Sequence, residues 1–403
     1  MANVVIIGAG QAGAKAALAL REGGWEGEIV IFGEESLPPY ERPPLSKEVL
    51  LGQSALEDTF IVPRDVYTQG RIELRLNTKV TSVNIEHHLV CTTDGQELTY
   101  DHLVFATGAR ARALPTQGAE LQGIFTLRDA EDARTLGEAL AKAKRVAIIG
   151  GGFVGLEVAA AARKFGLPTT VIEQNPSCLS RVLPASAVAP ITDYHISNGV
   201  EILCSRAIKA IEGQGQVERV RLQDDTVVDA DVLVVGIGSI ANDELARDAG
   251  IECANGILVD AECRTSAPNV YAIGDVASRM DELVGRAMRM ESWENAERQG
   301  AIVAASILAI SLPETGAPWF WTDQYDLNVQ IIGTPDAGDT LVERAGDGHN
   351  QSIQFYLRNG LLASVVMFNS GREKRTLTKM IGNRYAPAEL QNASLPLRQL
   401  SSL

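Results

Sequence analysis

Hydrophobic positions in the first half of the chain come mostly in short unbroken runs. "VVII" at residues 4–7 is β-branched and apolar throughout, the pattern of a strand buried on both faces. A glycine turn and the alanine-rich run at residues 14–20 follow, so strand, turn and helix are predicted in succession. "EIVIFG" predicts a second strand ending near Glu34. The same order returns in "RVAIIGGGFVGLEVA" at residues 145–159, with its own second strand in "TTVIEQ". "LRLNTKVTSVN" and "HHLVCTTDGQELTY" read as short strands, with Asp94-Gly95 marking a hairpin. "QVERVRLQDDTVVDA" predicts a matching meander in the second copy. "HLVFATGAR", "DVLVVGIG" and "APNVYAIGDVA" add buried strands, and a helix is predicted after Gly274 and Asp275. Beyond residue 313 the pattern changes to aromatic-rich meander strands, then a basic helix.

These elements predict an α/β chain with two Rossmann-like dinucleotide-binding domains, one inserted in the other. The outer domain covers residues 1–109 and 232–312, the inserted one 110–231, and a C-terminal α+β domain 313–403.

The turns carry the first candidate chemistry. Gly8, Gly10 and Gly13 have the G-x-G-x-x-G spacing, as do Gly150, Gly152 and Gly155, with Gly151 extra. The first glycine permits the tight turn, the second lets backbone approach a pyrophosphate, and the third lets helix and strand pack closely. Each lies between an apolar strand and a helix, whose leading N–H groups face an anion. An acid ending the second strand can accept hydrogen bonds from adenosine ribose hydroxyls, which selects Glu34 in the first copy and Glu173 in the second. Gln174 and Asn175 follow Glu173 with no arginine to receive a 2′-phosphate, so NADH is expected over NADPH.

Composition narrows the class. The 403 residues are 45% hydrophobic and 22% charged, enough for two or three domains with ordinary cores. The net charge of −15 lacks the basic footprint of a general nucleic-acid binder. No run is long enough to predict a membrane span, and a strand starting at residue 3 leaves no room for a signal peptide. The five cysteines form no C-x-x-C pair and the five histidines show no metal-ligand spacing, so a cytoplasmic protein without a metal site is expected.

"GAGQAG", "PPYERPPLSK", "ATGARARALP", "TLRDAEDA", "GGGFVGLEVAA", "YAIGDVA", "ESWENAERQG" and "PWFWTDQYDLNVQIIG" occur in one order from residue 3 to about residue 335. Together they resemble the NADH-dependent ferredoxin reductases of Rieske oxygenase and haem monooxygenase systems, the family of putidaredoxin reductase and the biphenyl dioxygenase ferredoxin reductase. The resemblance implies a glutathione-reductase-like fold, FAD in the first domain and NADH in the second. It implies electron transfer to a two-iron ferredoxin of Rieske or plant type, by a monomer or homodimer. Two sites are needed because nicotinamide delivers two electrons together while an iron–sulfur centre accepts one; a flavin stores two and releases them singly.

The resemblance also assigns residues. Lys47 lies beside the flavin and pairs with Glu157, while Pro44 and Arg42 lie nearby. Asp275 bonds the ribitol chain. Thr107, Gly108 and Arg128 touch FAD, and Lys79 and Val80 lie against the adenine. Trp293 flanks the flavin, and the helix it opens aims its N-terminus at the pyrimidine edge, where a helix dipole favours negative charge. Lys47, Glu157 and Trp293 are thus the expected catalytic set. One departure is Ala241 in "GIGSIAND", where the family usually has proline.

Three rivals share this scaffold. A disulfide oxidoreductase needs a redox cysteine pair, and an NADH oxidase or peroxidase needs a reactive cysteine before Cys91; neither is present in the sequence. An NADH-sensing flavoprotein like the apoptosis-inducing-factor relatives would carry long insertions or basic DNA-binding patches. An acidic ferredoxin meeting an acidic reductase calls for a local basic face. Arg286 with Arg289, or Arg372, Lys374, Arg375 and Lys379, would supply it.

Overall fold

The apolar runs become the centres of two parallel sheets built to one plan. The computed structural model describes residues 2–281, 286–314 and 316–401. In the first sheet the order is Val270–Ala272, His102–Phe105, Asn3–Ile7, Glu28–Phe32, Ile72–Arg75, all parallel. In the second it is Val200–Leu203, Thr169–Ile172, Val146–Ile149, Val232–Val235, Ile124–Phe125, again all parallel. Central strands buried on both faces explain why "VVII" and "VAII" carry no polar residue. Each sheet is accompanied by a three-stranded antiparallel meander. The first is Val80–Asn84, Leu89–Thr92 and Glu97–Thr99; the second is Ile208–Glu212, Arg219–Leu222 and Val227–Asp229.

The chain separates into two compact units. One holds Met1–Pro43, Leu56–Arg110 and Ser239–Thr315, the other Pro44–Ala55, Ala111–Gly238 and Gly316–Leu403. The C-terminal sheet runs Trp319–Gln324, Leu327–Gly333, Leu361–Phe368, Ser352–Arg358, Thr340–Ala345, antiparallel throughout. One side of it shares a core with the second parallel sheet and its helix: Val329, Tyr356, Val366 and Phe368 belong to the same buried cluster as Val146, Leu156 and Val171. Its other side is covered by the chain's last helices through Leu377, Met380, Leu390 and Leu397. The segment Pro44–Ala55 joins this unit because Leu50 enters that shared core.

In the first unit the helices Gln11–Glu22 and Trp293–Leu308 pack closely. A Cβ added at Gly300 would lie 2.9 Å from the backbone nitrogen of Ala16, so only glycine permits this approach.

Two possible helix starts, the serine of "PPLSK" and the predicted one after Gly274 and Asp275, do not continue as helices. "PPLSK" forms a single 3-10 turn, Pro43–Ser46, and the chain continues in turns rather than a helix. After Gly274 and Asp275 there is likewise only a 3-10 turn, Gly274–Val276, then the strand Ala277–Asp281. That strand is captured by two neighbours, Gly256–Val259 and Arg286–Arg289. Ladder pairing outweighs the local tendency to start a helix.

Candidate functional site

Each glycine of the two turns has a separate role in the geometry. Gly8 has φ +122°, and an added Cβ would lie 2.1 Å from the carbonyl oxygen of Ala106. At Gly13 it would lie 2.1 Å from the Gly8 carbonyl oxygen. At Gly10 it would meet nothing within 4 Å. The second copy repeats this. Gly150, with φ +103°, would meet the Gly236 carbonyl oxygen at 2.3 Å, and Gly155 the Gly150 carbonyl oxygen at 2.2 Å, while Gly152 faces open space. Outer glycines are demanded by the protein's own packing; the middle ones are not. Helices Gln11–Glu22 and Phe153–Lys164 start at Gly10 and Gly152, with no side-chain cap and no acid in the first turn. Their leading N–H groups and positive dipole ends are left to an anion such as a dinucleotide pyrophosphate. Both cradles therefore fit a dinucleotide.

The acidic ends differ. Glu173 is 8% exposed; one carboxylate oxygen accepts the Gly151 N–H at 2.7 Å and the other the Asn175 N–H at 2.7 Å. It thereby ties the second strand to the glycine turn. Glu34 is exposed and pairs with Lys79 at 3.4 Å. Its neighbour Glu35 is the half-buried one, accepting from the Tyr40 hydroxyl at 2.6 Å and Arg42 at 3.2 Å. Sequence reading selected Glu34; the structure brings both acids to the end of the strand, each with its own partner. The tyrosine and arginine of "PPYER" fold back onto Glu35.

The "IGDVA" turn meets the first cradle directly. Gly274 has φ +73°, a Cβ there would lie 2.8 Å from the Ala12 methyl, and its N–H donates to Gln299 Oε1 at 2.6 Å. Gln299 lies on helix Trp293–Leu308, whose N-cap is Ser292: its hydroxyl accepts from the Asn295 N–H at 3.1 Å. Trp293 is half-buried at the first position of that helix.

The second unit contains an ion pair of low exposure. Lys47 Nζ lies 3.1 Å from Glu157 Oε1, with the side chains 12% and 8% exposed. Ser46 and Thr322 both donate to the Glu157 carboxylate, Thr322 to Oε1 at 2.6 Å. A buried pair is tolerated when further hydrogen bonds satisfy its remaining lone pairs. A lysine in a proline-rich turn and a glutamate on the helix after a glycine turn, 110 residues apart, are thus brought together as the resemblance implied.

Residues 2–300 match the pyridine nucleotide-disulphide oxidoreductase family, and residues 319–401 the reductase C-terminal family. The chain belongs to the pyridine nucleotide-disulphide oxidoreductases. It is 37% identical over 380 residues to the 3-phenylpropionate/cinnamic acid dioxygenase ferredoxin–NAD(+) reductase component of Photorhabdus laumondii, covering 94% of this chain and 96% of the relative. Putidaredoxin reductase, solved in covalent complex with putidaredoxin, superposes with TM-score 0.93 at 34% identity, over 100% of this chain and 98% of that one. The ferredoxin reductase of the CYP199A2 system from Rhodopseudomonas palustris gives TM-score 0.94 at 32% identity over the whole of both chains.

Other assigned residues of this oxidoreductase fall as follows. Thr107 donates to the Asn242 carbonyl at 2.7 Å, and the Asn242 amide donates back to the Thr107 carbonyl at 2.9 Å; the two residues lock the turn, where Gly108 has φ +66°. The Val80 side chain is buried in the core, so only its backbone can face a ligand. The Arg128 N–H donates to Asp132 at 2.8 Å just before helix Ala130–Leu140. Arg289 is no docking cation: its side chain is 7% exposed, pairs with Glu291 at 2.6 Å and donates to the Asp275 carbonyl at 3.0 Å. The side chain of Arg286 lies outside the described residues.

The cysteines of the oxidoreductase are all free. Cys178 sits under the second cradle, where a Cβ on Gly151 would be 2.5 Å from its sulfur, and burial pushes its thiol up to about 12. Among the described residues no group of three or more His, Cys, Asp or Glu could hold a metal, and no helix is long and apolar enough to cross a membrane.

Proposed function

We propose that the protein is an FAD-containing NADH:ferredoxin oxidoreductase that feeds a two-iron ferredoxin of an oxygenase system. The observation that carries this reading is the presence of two glycine cradles of one design in a single chain, each open only in front of its middle glycine. The named relatives act with ferredoxins, and the full-length match brings that partner class to this chain.

The first unit would hold FAD through Gly8, Gly10 and Gly13, with Glu35 at the ribose and Asp275 at the ribitol. The second would hold NADH through Gly150, Gly152, Gly155 and Glu173. Bound FAD supplies the conversion of one two-electron donation into two single-electron ones. The chain's own residues then bind and orient. Glu173 excludes a 2′-phosphate by charge. The Lys47 ammonium, fixed by Glu157, supplies a directed positive charge for the hydride-transfer step. Trp293 is assigned to flank the flavin. Free cysteines suit a reducing cytosol, to which we assign the protein.

The test is steady-state NADH oxidation by purified protein with stoichiometric FAD, in the presence of a two-iron ferredoxin. Ferredoxin reduction at one NADH per two ferredoxins supports the reading. Rapid peroxide formation without ferredoxin reduction would replace it with the oxidase alternative.

A further inference from the structure

The Lys47–Glu157 pair is the end of a longer buried chain that sequence reading did not find. Thr322 donates to Glu157 Oε1 at 2.6 Å, and the Gln324 amide nitrogen lies 3.1 Å from Thr322 Oγ1. Gln324 Oε1 lies 2.7 Å from His195 Nε2, and the Tyr325 hydroxyl 3.3 Å from His195 Nδ1. Glu157, Thr322, Gln324 and His195 are all buried. Thr322 and Gln324 sit two apart on strand Trp319–Gln324 and so share its inward face, while His195 comes from helix Ala185–Ser197.

The direction of every bond in this chain follows from one charge. An ionised carboxylate only accepts, so the Thr322 hydroxyl must donate to it. Thr322 oxygen then accepts, which turns the Gln324 NH₂ toward it. That leaves the Gln324 carbonyl facing His195, whose Nε2 must carry hydrogen. Nδ1 is then the acceptor for Tyr325. A reversed Gln324 amide would claim the threonine proton and leave two oxygens facing at Glu157.

We propose that Thr322, Gln324 and His195 are positioning residues that hold the Glu157 carboxylate, and through it the Lys47 ammonium, in one orientation by hydrogen bonds all donating toward Glu157. This rests on the assignment of Lys47 and Glu157 to hydride transfer. Removing the threonine hydroxyl takes one of the donors from a buried carboxylate. Hydrogen bonds to charged groups are the strong ones, so the carboxylate then shifts toward its other donors and carries Lys47 with it. The titratable and charged groups around the imidazole are Tyr325, whose hydroxyl faces it, with Tyr194 and Arg163 close to Tyr325.

The experiment uses FAD-loaded full-length protein. Thr322→Val should slow single-turnover flavin reduction by NADH about tenfold. FAD content and KM for NADH should hold, and Thr322→Ser should recover the rate to within about twofold. Nitrogen NMR of histidine-labelled protein, with His195 assigned through His195→Gln, should show the neutral tautomer with hydrogen on Nε2. An unchanged rate in Thr322→Val, where Glu157→Gln slows reduction, would overturn the positioning role. Hydrogen on Nδ1 alone, or a His195 cation at neutral pH, would overturn the bond directions. If Glu157→Gln itself reduces normally, the hydride-transfer assignment fails, and the NMR result still decides whether the chain exists.

Discussion

At the residue scale the buried carboxylates Glu157 and Glu173 are each held by several partners. Glu173 has both oxygens occupied by backbone N–H groups, so its side chain is held in place at the end of its strand. A 2′-phosphate brought beside it would meet a like charge, which costs several kcal/mol. NADH is therefore expected to exceed NADPH in kcat/KM by about a hundredfold or more, and Glu173→Gln should narrow the ratio; equal values in the unaltered protein would remove Glu173 from coenzyme selection. Lys47→Ala should slow flavin reduction roughly tenfold or more in stopped flow while bound FAD remains stoichiometric, because Lys47 is assigned to the reacting end and not to the cradle. His195 adds a pH effect. Burial holds its pKa below the usual histidine value. The unfolded chain thus binds a proton that the folded one resists, and stability present above the unfolded pKa falls as pH drops toward the folded value. Thermal melts from neutral to mildly acidic pH should show a shallower decline for His195→Gln than for the unaltered protein.

Elements meet where glycine leaves room, and the purpose of that room differs from site to site. Gly155 is enclosed by the Gly150 carbonyl, whereas Gly152 faces open space. Gly155→Ala forces helix and strand apart and is expected to lower stability by about 1–3 kcal/mol, read by urea unfolding. Gly152→Ala should unfold like the unaltered protein yet raise KM for NADH, because its methyl projects into the open space to which the pyrophosphate is assigned. If the two variants lose stability equally, the division between packing and binding glycines is wrong. Gly300 belongs with Gly155, since its contact with the Ala16 nitrogen sets the approach of two helices. The 3-10 turn at Pro43–Ser46 works differently: it ends a proline-rich loop so that Ser46 and Lys47 both reach Glu157.

For the whole molecule the question is how a protein of net charge −15 would meet a ferredoxin if that partner is acidic, as the resemblance implies. Arg289 is buried and paired, so the first of the two candidate runs contributes no surface cation there. In the second, Arg372, Arg375 and Lys379 are exposed, and Lys374 Nζ lies 3.1 Å over the ring of Trp319, which stacks on Trp321 with centroids 4.8 Å apart. A cationic rim acts mainly on association rate and fades with salt, the Debye length being about 8 Å at physiological ionic strength. Reversing Arg372, Arg375 and Lys379 to glutamate should raise KM for ferredoxin at low salt and leave NADH–ferricyanide turnover unchanged. Indifference of ferredoxin reduction at low salt would place docking elsewhere.

The two strand–glycine–helix units were legible in the sequence because each depends on neighbours within about ten residues. Apolar runs, glycine spacing and helix start are local demands, and they hold in Asn3–Ile7 and Val146–Ile149 alike. The pairing of Lys47 with Glu157 was legible only through family resemblance, since no local rule brings a turn lysine to a helix glutamate. Tertiary structure alone gave Glu34 an exposed pairing with Lys79 and Glu35 a half-buried place against Tyr40 and Arg42, because one residue of register changes the face a side chain takes. It alone buried Arg289, and it placed Thr322, Gln324 and His195 in line behind Glu157. Those three look like ordinary polar residues in sequence. A polar side chain acquires direction only when burial removes water and leaves one partner for each donor and acceptor.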